Sequence, residues 1–328
     1  MVILGIESTA HTASVGIVTE RAEVLGLATD MFRPVRGGIH PREAANHHVE
    51  VLPGLVRRAL DTARVRPTEI DAVAFAQGPG LGPCLRAGAT VARTLSLVWN
   101  RPLVPVNHCV AHVEIARVLS GMDDPMLLYA SGGNTQVIAH HSGRYRVLGE
   151  TLDIGVGNFL DKLWIALGGT FPGGPPLEKE ARQGEELLPL PYSVHGMDVA
   201  FSGIYTASLA HAGRGARRPD IALSVESTAY SMLTEITERA LAHRRRERVV
   251  LGGGVACNER LRGMVSAMVE GRGGTSFAPP PSLCVDNGAM IAWTGLLALR
   301  AGLSVPVKAS AVDPRQRTDL VPAPWRRL

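Results

Sequence analysis

The chain opens with VILGIESTAHTASVGIVTERAEVLGLA, residues 2–28, and this stretch decides the fold. Residues 2–6 are an apolar run, residues 12–18 alternate as a strand does, and residues 24–28 form a third apolar segment. The polar residues 7–11, with the sequence ESTAH, separate the first two runs. The pattern predicts three consecutive strands with a polar turn after the first.

The same pattern returns in MLLYASGGNTQVIAHHSGRYRVLG, residues 126–149, at a fixed offset of 123 positions. The residues that match at this offset are Leu4 and Leu127, Ser8 and Ser131, Thr12 and Thr135, Arg21 and Arg144, Val24 and Val147, Leu25 and Leu148, and Gly26 and Gly149. Identities at one offset, on one strand-turn-strand pattern, indicate an internal duplication.

Helices and strands alternate after each copy, which favours an α/β protein of two βββαβα lobes with a cleft between them. We expect a first lobe at residues 1–125 and a second at 126–328. Gly and Pro are dense at residues 168–196, where we expect an irregular insertion over the cleft. The last predicted helix, residues 286–300, is free to pack back on the first lobe.

Composition is that of a soluble protein of about two domains, with 328 residues, 45% of them hydrophobic and 20% charged. The apolar stretches are shorter than the roughly 20 residues that span a bilayer. The four cysteines are far apart and form no CxxC pair, so we expect reduced thiols, a cytoplasmic location and no membrane partner.

The formal net charge is +4, and the basic residues are mostly arginines. They cluster at residues 57–58, 214–218, 244–248 and 326–327. Such clusters permit a polyanionic partner, although each one alone is typical of a solvated helix face or loop.

A candidate metal site lies in HCVAH, residues 108–112, which follows a predicted strand. On a helix, His108 and His112 share one face and can bind one ion, and Asp286 at a loop in the second half is a candidate third ligand. Two histidines at this spacing are also common as ordinary helix residues. Cys109 stands where a zinc protease has its general base Glu, which argues against a protease.

Three glycine-rich turns are candidates for binding a nucleotide or phosphate: residues 78–82, 131–135 and 252–256. Glycine lets backbone N–H groups approach an anion, and a following helix adds its positive end. Asn258, Asp161 and Glu178 lie near such turns and suit ribose hydroxyls or a base edge, although each residue could equally be a cap or a surface group.

Several of these motifs together resemble the universal tRNA threonylcarbamoyladenosine synthesis family over nearly the whole chain. They are residues 5–12 (GIESTAHT), 108–112, 129–135 (YASGGNT), 252–258 (GGGVACN) and 286–288 (DNG). ESTAH and the tyrosine at position 129 look like the archaeal and eukaryotic branch, the catalytic subunits of the KEOPS complex. The resemblance implies the fold of actin, the large heat-shock chaperones and sugar kinases: a duplicated, two-lobed, actin-like ATPase fold with a central nucleotide cleft.

The resemblance also implies an activity. The enzyme would move a threonylcarbamoyl group from threonylcarbamoyl-AMP to the exocyclic amine of the adenosine beside the anticodon, in tRNAs that read codons beginning with A. No covalent enzyme intermediate is required, because AMP is a good leaving group. The implied partners are tRNA, a small protein kinase or ATPase of KEOPS on a separate chain, and other small KEOPS subunits.

Site residues follow from the matching motif positions. His108, His112 and Asp286 would bind one iron or zinc ion, with Tyr129 as an additional ligand, and a phenolate slightly favours iron. The residues implied to hold threonylcarbamoyl-AMP, ATP or AMP are Tyr129, Ala130, Ser131, Gly132, Gly133, Asp161, Gly174, Glu178 and Asn258. No residue is assigned as a catalytic acid or base, and the chemistry is expected to centre on the metal.

One departure and several alternatives stay open. Kinases and ATPases of the superfamily usually carry Asp in the first-strand turn, where this chain has Glu7, which weakens a phosphoryl-transfer function. The alternatives are a sugar kinase or ATPase, a carbamoyltransferase for a small molecule, a metalloprotease, and a nucleotide-switched scaffold without enzymatic activity.

Overall fold

The computed structural model describes residues 1–34 and 37–327, with the backbone alone for Arg327. The strands of the first half are β1 Val2–Glu7, β2 Thr12–Thr19, β3 Val24–Met31, β4 Ala72–Gly78 and β5 Leu103–Asn107. The strands of the second half are β6 Met126–Ala130, β7 Thr135–His141, β8 Arg144–Glu150, β9 Val194–His195, β10 Asp198–Val199, β11 Arg248–Gly252 and β12 Thr275–Phe277.

The two large sheets have the same topology. The first has the order β3-β2-β1-β4-β5 and the second has the order β8-β7-β6-β11-β12. In each sheet the first three strands pair antiparallel and the remaining pairs are parallel. The strands that repeat in the sequence therefore hold equivalent places in the two sheets, and the predicted duplication is confirmed.

Helices connect and cover the strands. They are α1 Pro41–Ala63, α2 Gly82–Trp99, α3 His108–Ser120, α4 Val156–Ala166, α5 Gly174–Ala181, α6 Ser202–Gly213, α7 Arg218–Arg244, α8 Glu259–Gly271, α9 Pro281–Cys284 and α10 Gly288–Arg300. Within the described part of the chain, no helix has both the length and the apolar character to cross a bilayer.

Two helix predictions need correction. The segment 168–196, predicted to be irregular, contains α5, because Pro175 and Pro176 occupy first-turn positions where a helix needs no N–H. The last helix begins at Gly288 and not at Asp286, because the Asn287 side chain accepts a hydrogen bond from the N–H of Met290 and caps the helix there. Asp286 consequently lies in the loop before α10.

Helix α10 packs on the first sheet although it belongs to the second half of the sequence. A Cβ atom on Gly16 would lie 2.2 Å from the backbone nitrogen of Ala289, and one on Gly5 would lie 2.2 Å from that of Ala292. Only glycine permits so close an approach of helix and strand. The contact brings Asp286 to the first half, while the division of the chain at residue 125 stays a prediction.

Helix α3 lies at the junction of the two halves. It starts directly after β5, with the Asn107 side chain accepting a hydrogen bond from the N–H of Val110 at 3.0 Å. It packs against both α10 and β11. The first turn of α3 is therefore buried where the two sheets meet.

Candidate metal centre and nucleotide cleft

Two histidines and an aspartate converge at the start of α3. His108 and His112 are one turn apart on the helix, and both are buried. Asp286 Oδ1 lies 3.2 Å from His112 Nε2 and 3.4 Å from His108 Nε2. The potential ligand atoms of the three residues all lie within 4.8 Å of one another. The structure thus brings together the three residues that the sequence analysis named for a metal ion.

Tyr129, at the carboxyl-terminal half of β6, reaches the same point. Its hydroxyl lies 2.9 Å from His108 Nε2, and its ring centroid is 4.7 Å from that of His112. Burial, with a smaller contribution from the Asp286 carboxylate, raises the pKa of Tyr129 well above its ordinary value. The phenol is therefore neutral in the protein without an ion, and a bound cation would favour its ionised form.

Glu7 supports the centre from behind. Its Oε2 atom accepts a hydrogen bond from His108 Nδ1 at 2.9 Å, and its Oε1 atom accepts from the N–H and hydroxyl of Thr9 at 2.6 and 2.5 Å. A proton held on Nδ1 leaves Nε2 of the same ring free to bind an ion, which is the usual role of a carboxylate behind a metal-binding histidine. In the sequence, Glu7 stands out only as a departure from kinases, and this contact with His108 was not predicted. The signal available in the sequence was an acidic residue at the end of an apolar strand.

The electrostatics of the cluster favour a positive charge. Burial alone would lower the pKa of His108, but the carboxylates of Glu7 and Asp286 outweigh it and raise the pKa to about 9. Burial would raise the pKa of Asp286, but the imidazoles of His108 and His112 hold it well below its usual range. Burial lowers the pKa of His112.

These residues fit a transition-metal ion. Two imidazole nitrogens, a carboxylate and a phenol oxygen surround one buried point, a donor set that suits iron or zinc. His112 Nδ1 is buried and has no hydrogen-bond partner among the described residues. His112 Nε2, which faces the cluster, is the atom placed to be a ligand.

A cavity of about 270 Å³ adjoins the centre and is lined from both halves of the chain. Among the residues predicted to bind a nucleotide, those in its wall are Ser131, Gly132, Asp161, Gly174, Glu178 and Asn258. Asp286 is also in the wall, so the cavity and the metal centre share a residue. Phe171 and Pro172 show that part of the predicted insertion borders the cleft.

Three other residues of the predicted nucleotide set do not line the cavity. Tyr129 and Ala130 are buried in β6 behind it, and Gly133 is exposed in the turn that follows. In that turn, Ser131 Oγ donates to the Asn134 carbonyl at 3.1 Å and accepts from its N–H at 3.2 Å. The turn is therefore held in shape by its own residues.

The polar side chains of the cavity wall make hydrogen bonds within the protein. Asp161 Oδ1 accepts from the N–H of Gly173 at 2.7 Å. Asn258 caps α8 through the N–H of Leu261 and donates to Glu226 Oε1 at 2.7 Å. Glu178 accepts from Arg182 at 3.0 Å. Further wall residues that sequence reasoning missed are Leu160, Tyr230 and Cys257.

Solved structures show which class of fold this is. Thermococcus kodakarensis HypF superposes with a TM-score of 0.66 over 92% of this chain and 48% of its own, at 15% identity. The activator of 2-hydroxyisocaproyl-CoA dehydratase from Clostridium difficile, solved with ADPNP bound, gives a TM-score of 0.58 over 92% of this chain and 97% of its own, at 11% identity. At these identities the likeness concerns the fold alone, and the protein has the actin-like ATPase fold with a buried His/Asp centre beside its cleft.

The chain belongs to the tRNA N6-adenosine threonylcarbamoyltransferase family, TsaD, whose profile matches residues 24–293. It is 52% identical over 326 residues to a protein of that name from Thermococcus kodakarensis, covering 99% of this chain and all of the relative. It is 50% identical over 325 residues to a "Probable bifunctional tRNA threonylcarbamoyladenosine biosynthesis protein" from Thermoplasma volcanium. The chain spans 62% of the length of that longer relative.

Proposed function

We propose that this protein transfers the threonylcarbamoyl group of threonylcarbamoyl-AMP to the exocyclic amine of the adenosine beside the anticodon, in tRNAs that read codons beginning with A. One observation carries the proposal: Asp286 belongs both to the His/Asp centre and to the wall of the cleft. A nucleotide in the cleft would therefore have its reactive end beside the centre. The activity in the names of the full-length relatives supports the same reaction.

The reaction makes one bond and breaks one. The amine nitrogen of adenosine attacks the carbamoyl carbon and forms a C–N bond. The C–O bond to the phosphate of AMP breaks, AMP leaves with the electron pair, and the amine loses one proton to water. The described side chains need not form a covalent intermediate, since AMP is already a good leaving group.

His108, His112, Asp286 and Tyr129 would hold the iron or zinc ion, and Glu7 would hold His108 in the required tautomer. When bound, such an ion acts as a Lewis acid toward a carbonyl or carboxylate oxygen. The protein's own contribution is a site that orients the donor beside the centre.

The cleft would hold the adenylate through the residues named above. Ser131 and Gly132 present the turn expected to carry the phosphate. Asp161, Glu178 and Asn258, with the backbone at Gly174, border the remaining space and would contact the ribose and base. AMP and ATP would bind at the same place.

The same proposal extends to partners and location. We infer a cytoplasmic KEOPS-type complex in which a small protein kinase or ATPase and other small subunits are separate chains. The longer relatives called bifunctional support a second activity that works with this one. Several arginines of the predicted clusters are engaged internally, for example Arg246 and Arg326 with Asp124, so partners would supply part of the grip on tRNA.

The test is threonylcarbamoylation of a tRNA that reads ANN codons, with the adenylate donor and the partner subunits, for wild type and His112→Ala. We expect wild type to modify the tRNA and His112→Ala to lose activity together with bound metal. His243→Ala, on the surface at the end of α7, is the matched control and should stay active. Full activity in His112→Ala would contradict the metal site. If wild type does not modify the tRNA but carbamoylates small molecules, the result would instead support a small-molecule carbamoyltransferase.

A further inference from the structure

A second cavity of about 270 Å³ lies apart from the nucleotide cleft and shares none of its wall residues. Its wall comes from β7 and β8 of the second sheet, from Asn134 before β7, from α3, from Pro79 after β4 and from the segment 314–319. The wall residues used below are Cys109, Asn134, Gln136, Glu150, Arg315 and Arg317. Nothing in the proposed binding of the adenylate uses this space.

Two wall residues of the cavity are neighbours of metal-centre residues, as strand register shows for Gln136. Tyr129 on β6 pairs directly with Gln136 on β7, and Gln136 pairs directly with Glu150 on β8. Side chains of directly paired residues point to the same face, and neighbouring strands are about 4.8 Å apart. A row of polar groups therefore runs from the Tyr129 phenol at the centre to Gln136 and Glu150 in the cavity wall. Cys109, between the two histidines of α3, lines the same cavity.

Among the described residues, none donates a hydrogen bond to the amide oxygen of Gln136. The Gln136 Nε2 atom donates a hydrogen bond to Glu150 Oε2 at 3.1 Å. Because an ionised carboxylate can only accept hydrogen bonds, the NH₂ group of the amide must face Glu150. The Gln136 Oε1 atom is shielded from solvent and has no hydrogen-bond partner among the described residues. A buried acceptor in this state is costly, so the position favours a ligand that brings an N–H group.

Charged side chains of both signs stand at the mouth of the cavity. Arg315 and Arg317 are exposed in its wall, but Arg317 is ion-paired with Asp319 at 2.9 Å, and Glu150 adds another carboxylate. Arg315 is therefore the arginine of this wall placed to meet a phosphate of a nucleic-acid backbone. The interior thus offers an amide, and the rim offers the guanidinium of Arg315.

We propose that this second cavity receives the acceptor adenosine of tRNA, with its exocyclic amine donating a hydrogen bond to Gln136 Oε1. The proposal rests on the proposed function and adds the place of the second substrate to it. The nucleotide cleft and the acceptor cavity then approach the metal centre from different sides. Gln136 positions the amine and makes no bond to the transferred group.

The experiment is a double-mutant cycle between protein and RNA. Binding of an anticodon stem-loop RNA to the full chain is measured at low salt, with adenosine or purine riboside, which lacks the amine, at the target position. For wild type we expect the loss of the amine to weaken binding about 5- to 10-fold. For Gln136→Leu and for Gln136→Met, which keeps an unbranched shape, the two RNAs should bind equally.

Controls separate this outcome from misfolding. Gln183→Leu, which replaces an exposed glutamine after α5, should discriminate between the RNAs as wild type does. AMP affinity should be unchanged in both Gln136 variants, which shows that the cleft is intact. Equal discrimination by wild type and both variants would overturn the acceptor site, as would a wild type that does not distinguish the RNAs. Failure of the proposed function would appear in a separate measurement, the threonylcarbamoylation assay, in which wild type would not transfer the group to tRNA.

Discussion

At the end of β1, the carboxylate of Glu7 binds two groups at once. One oxygen holds His108 Nδ1 and the other holds Thr9, so the imidazole is fixed by a group that is itself fixed. Such support matters because a histidine that is free to rotate must give up that freedom when it binds a metal ion, which weakens binding of the ion. The geometry of the centre therefore depends on a residue that would not touch the ion.

Replacing Glu7 by Gln should weaken metal binding without unfolding the protein. The amide keeps the shape of the side chain but removes the charge that holds the Nδ1 proton, so we expect the affinity for the ion to fall about 10- to 100-fold. Metal content after competition with a chelator measures this effect. Glu50→Gln, on an exposed face of α1, should retain the ion as wild type does, and unchanged retention in Glu7→Gln would refute the supporting role.

The sequence predicted some site residues and could not predict others, for a physical reason. His108 and His112 share a helix, so their spacing alone placed them together. Asp286 and Tyr129 were named from motifs, since nothing local indicates that a loop and a strand meet at α3. Gln136 carries no motif, and its role depends on which residue of β6 it pairs with across the sheet.

At the scale of elements, asparagine caps decide where functional residues stand. Asn107, Asn258 and Asn287 each accept a hydrogen bond from the backbone of the following helix, and so begin α3, α8 and α10. The first cap places His108 in the first turn of α3, and the third leaves Asp286 outside α10. Small shifts of these helix starts would move the ligands apart.

Helix α6, which sequence reasoning missed, has a distant cap. The Asp153 carboxylate accepts hydrogen bonds from the N–H groups of Phe201 and Ser202, 48 and 49 positions away. Partial burial would raise the pKa of Asp153, but these hydrogen bonds, with one from Ile154, outweigh it and lower the pKa to about 2. A cap supplied from so far along the chain leaves no local pattern to recognise.

Asp153→Asn should therefore destabilise the protein in a pH-dependent way. The folded-state pKa is below the ordinary value of about 4, so the stabilisation is complete above that pH and is lost as pH falls toward 2. We expect the variant to lose about 1 kcal/mol in the free energy of unfolding at pH 7 and to approach wild type only near pH 2. Urea unfolding at the two pH values measures this, with Asp61→Asn on the exposed face of α1 as control. A difference that is the same at both pH values would rule out the charged cap.

At the scale of the whole molecule, the duplication made the fold predictable. Two copies of a strand-turn-strand pattern predicted two sheets of one topology, since equivalent sequences bury equivalent faces. The packing of α10 on the first sheet was left open, because it depends on contacts of Gly5 and Gly16 with residues more than 270 positions away. Such contacts have no local signature, yet they deliver Asp286 to the histidines.

The distribution of charge over the molecule yields the last prediction. The net charge is only +4, so we expect this chain to bind tRNA weakly and each phosphate contact to count. If tRNA enters at the acceptor cavity, Arg315→Ala should weaken binding of the anticodon stem-loop and lower the slope of log affinity against log salt by about 0.7 to 0.9. Titrations from low to moderate salt measure that slope. Arg57→Ala is the matched control, because Arg57 is exposed on α1, a helix that packs on the first sheet and supplies no wall residue of the cavity. An equal change in the two variants would indicate diffuse attraction to the whole surface. A docking site at the cavity requires that Arg315 contributes a phosphate contact and that Arg57 does not.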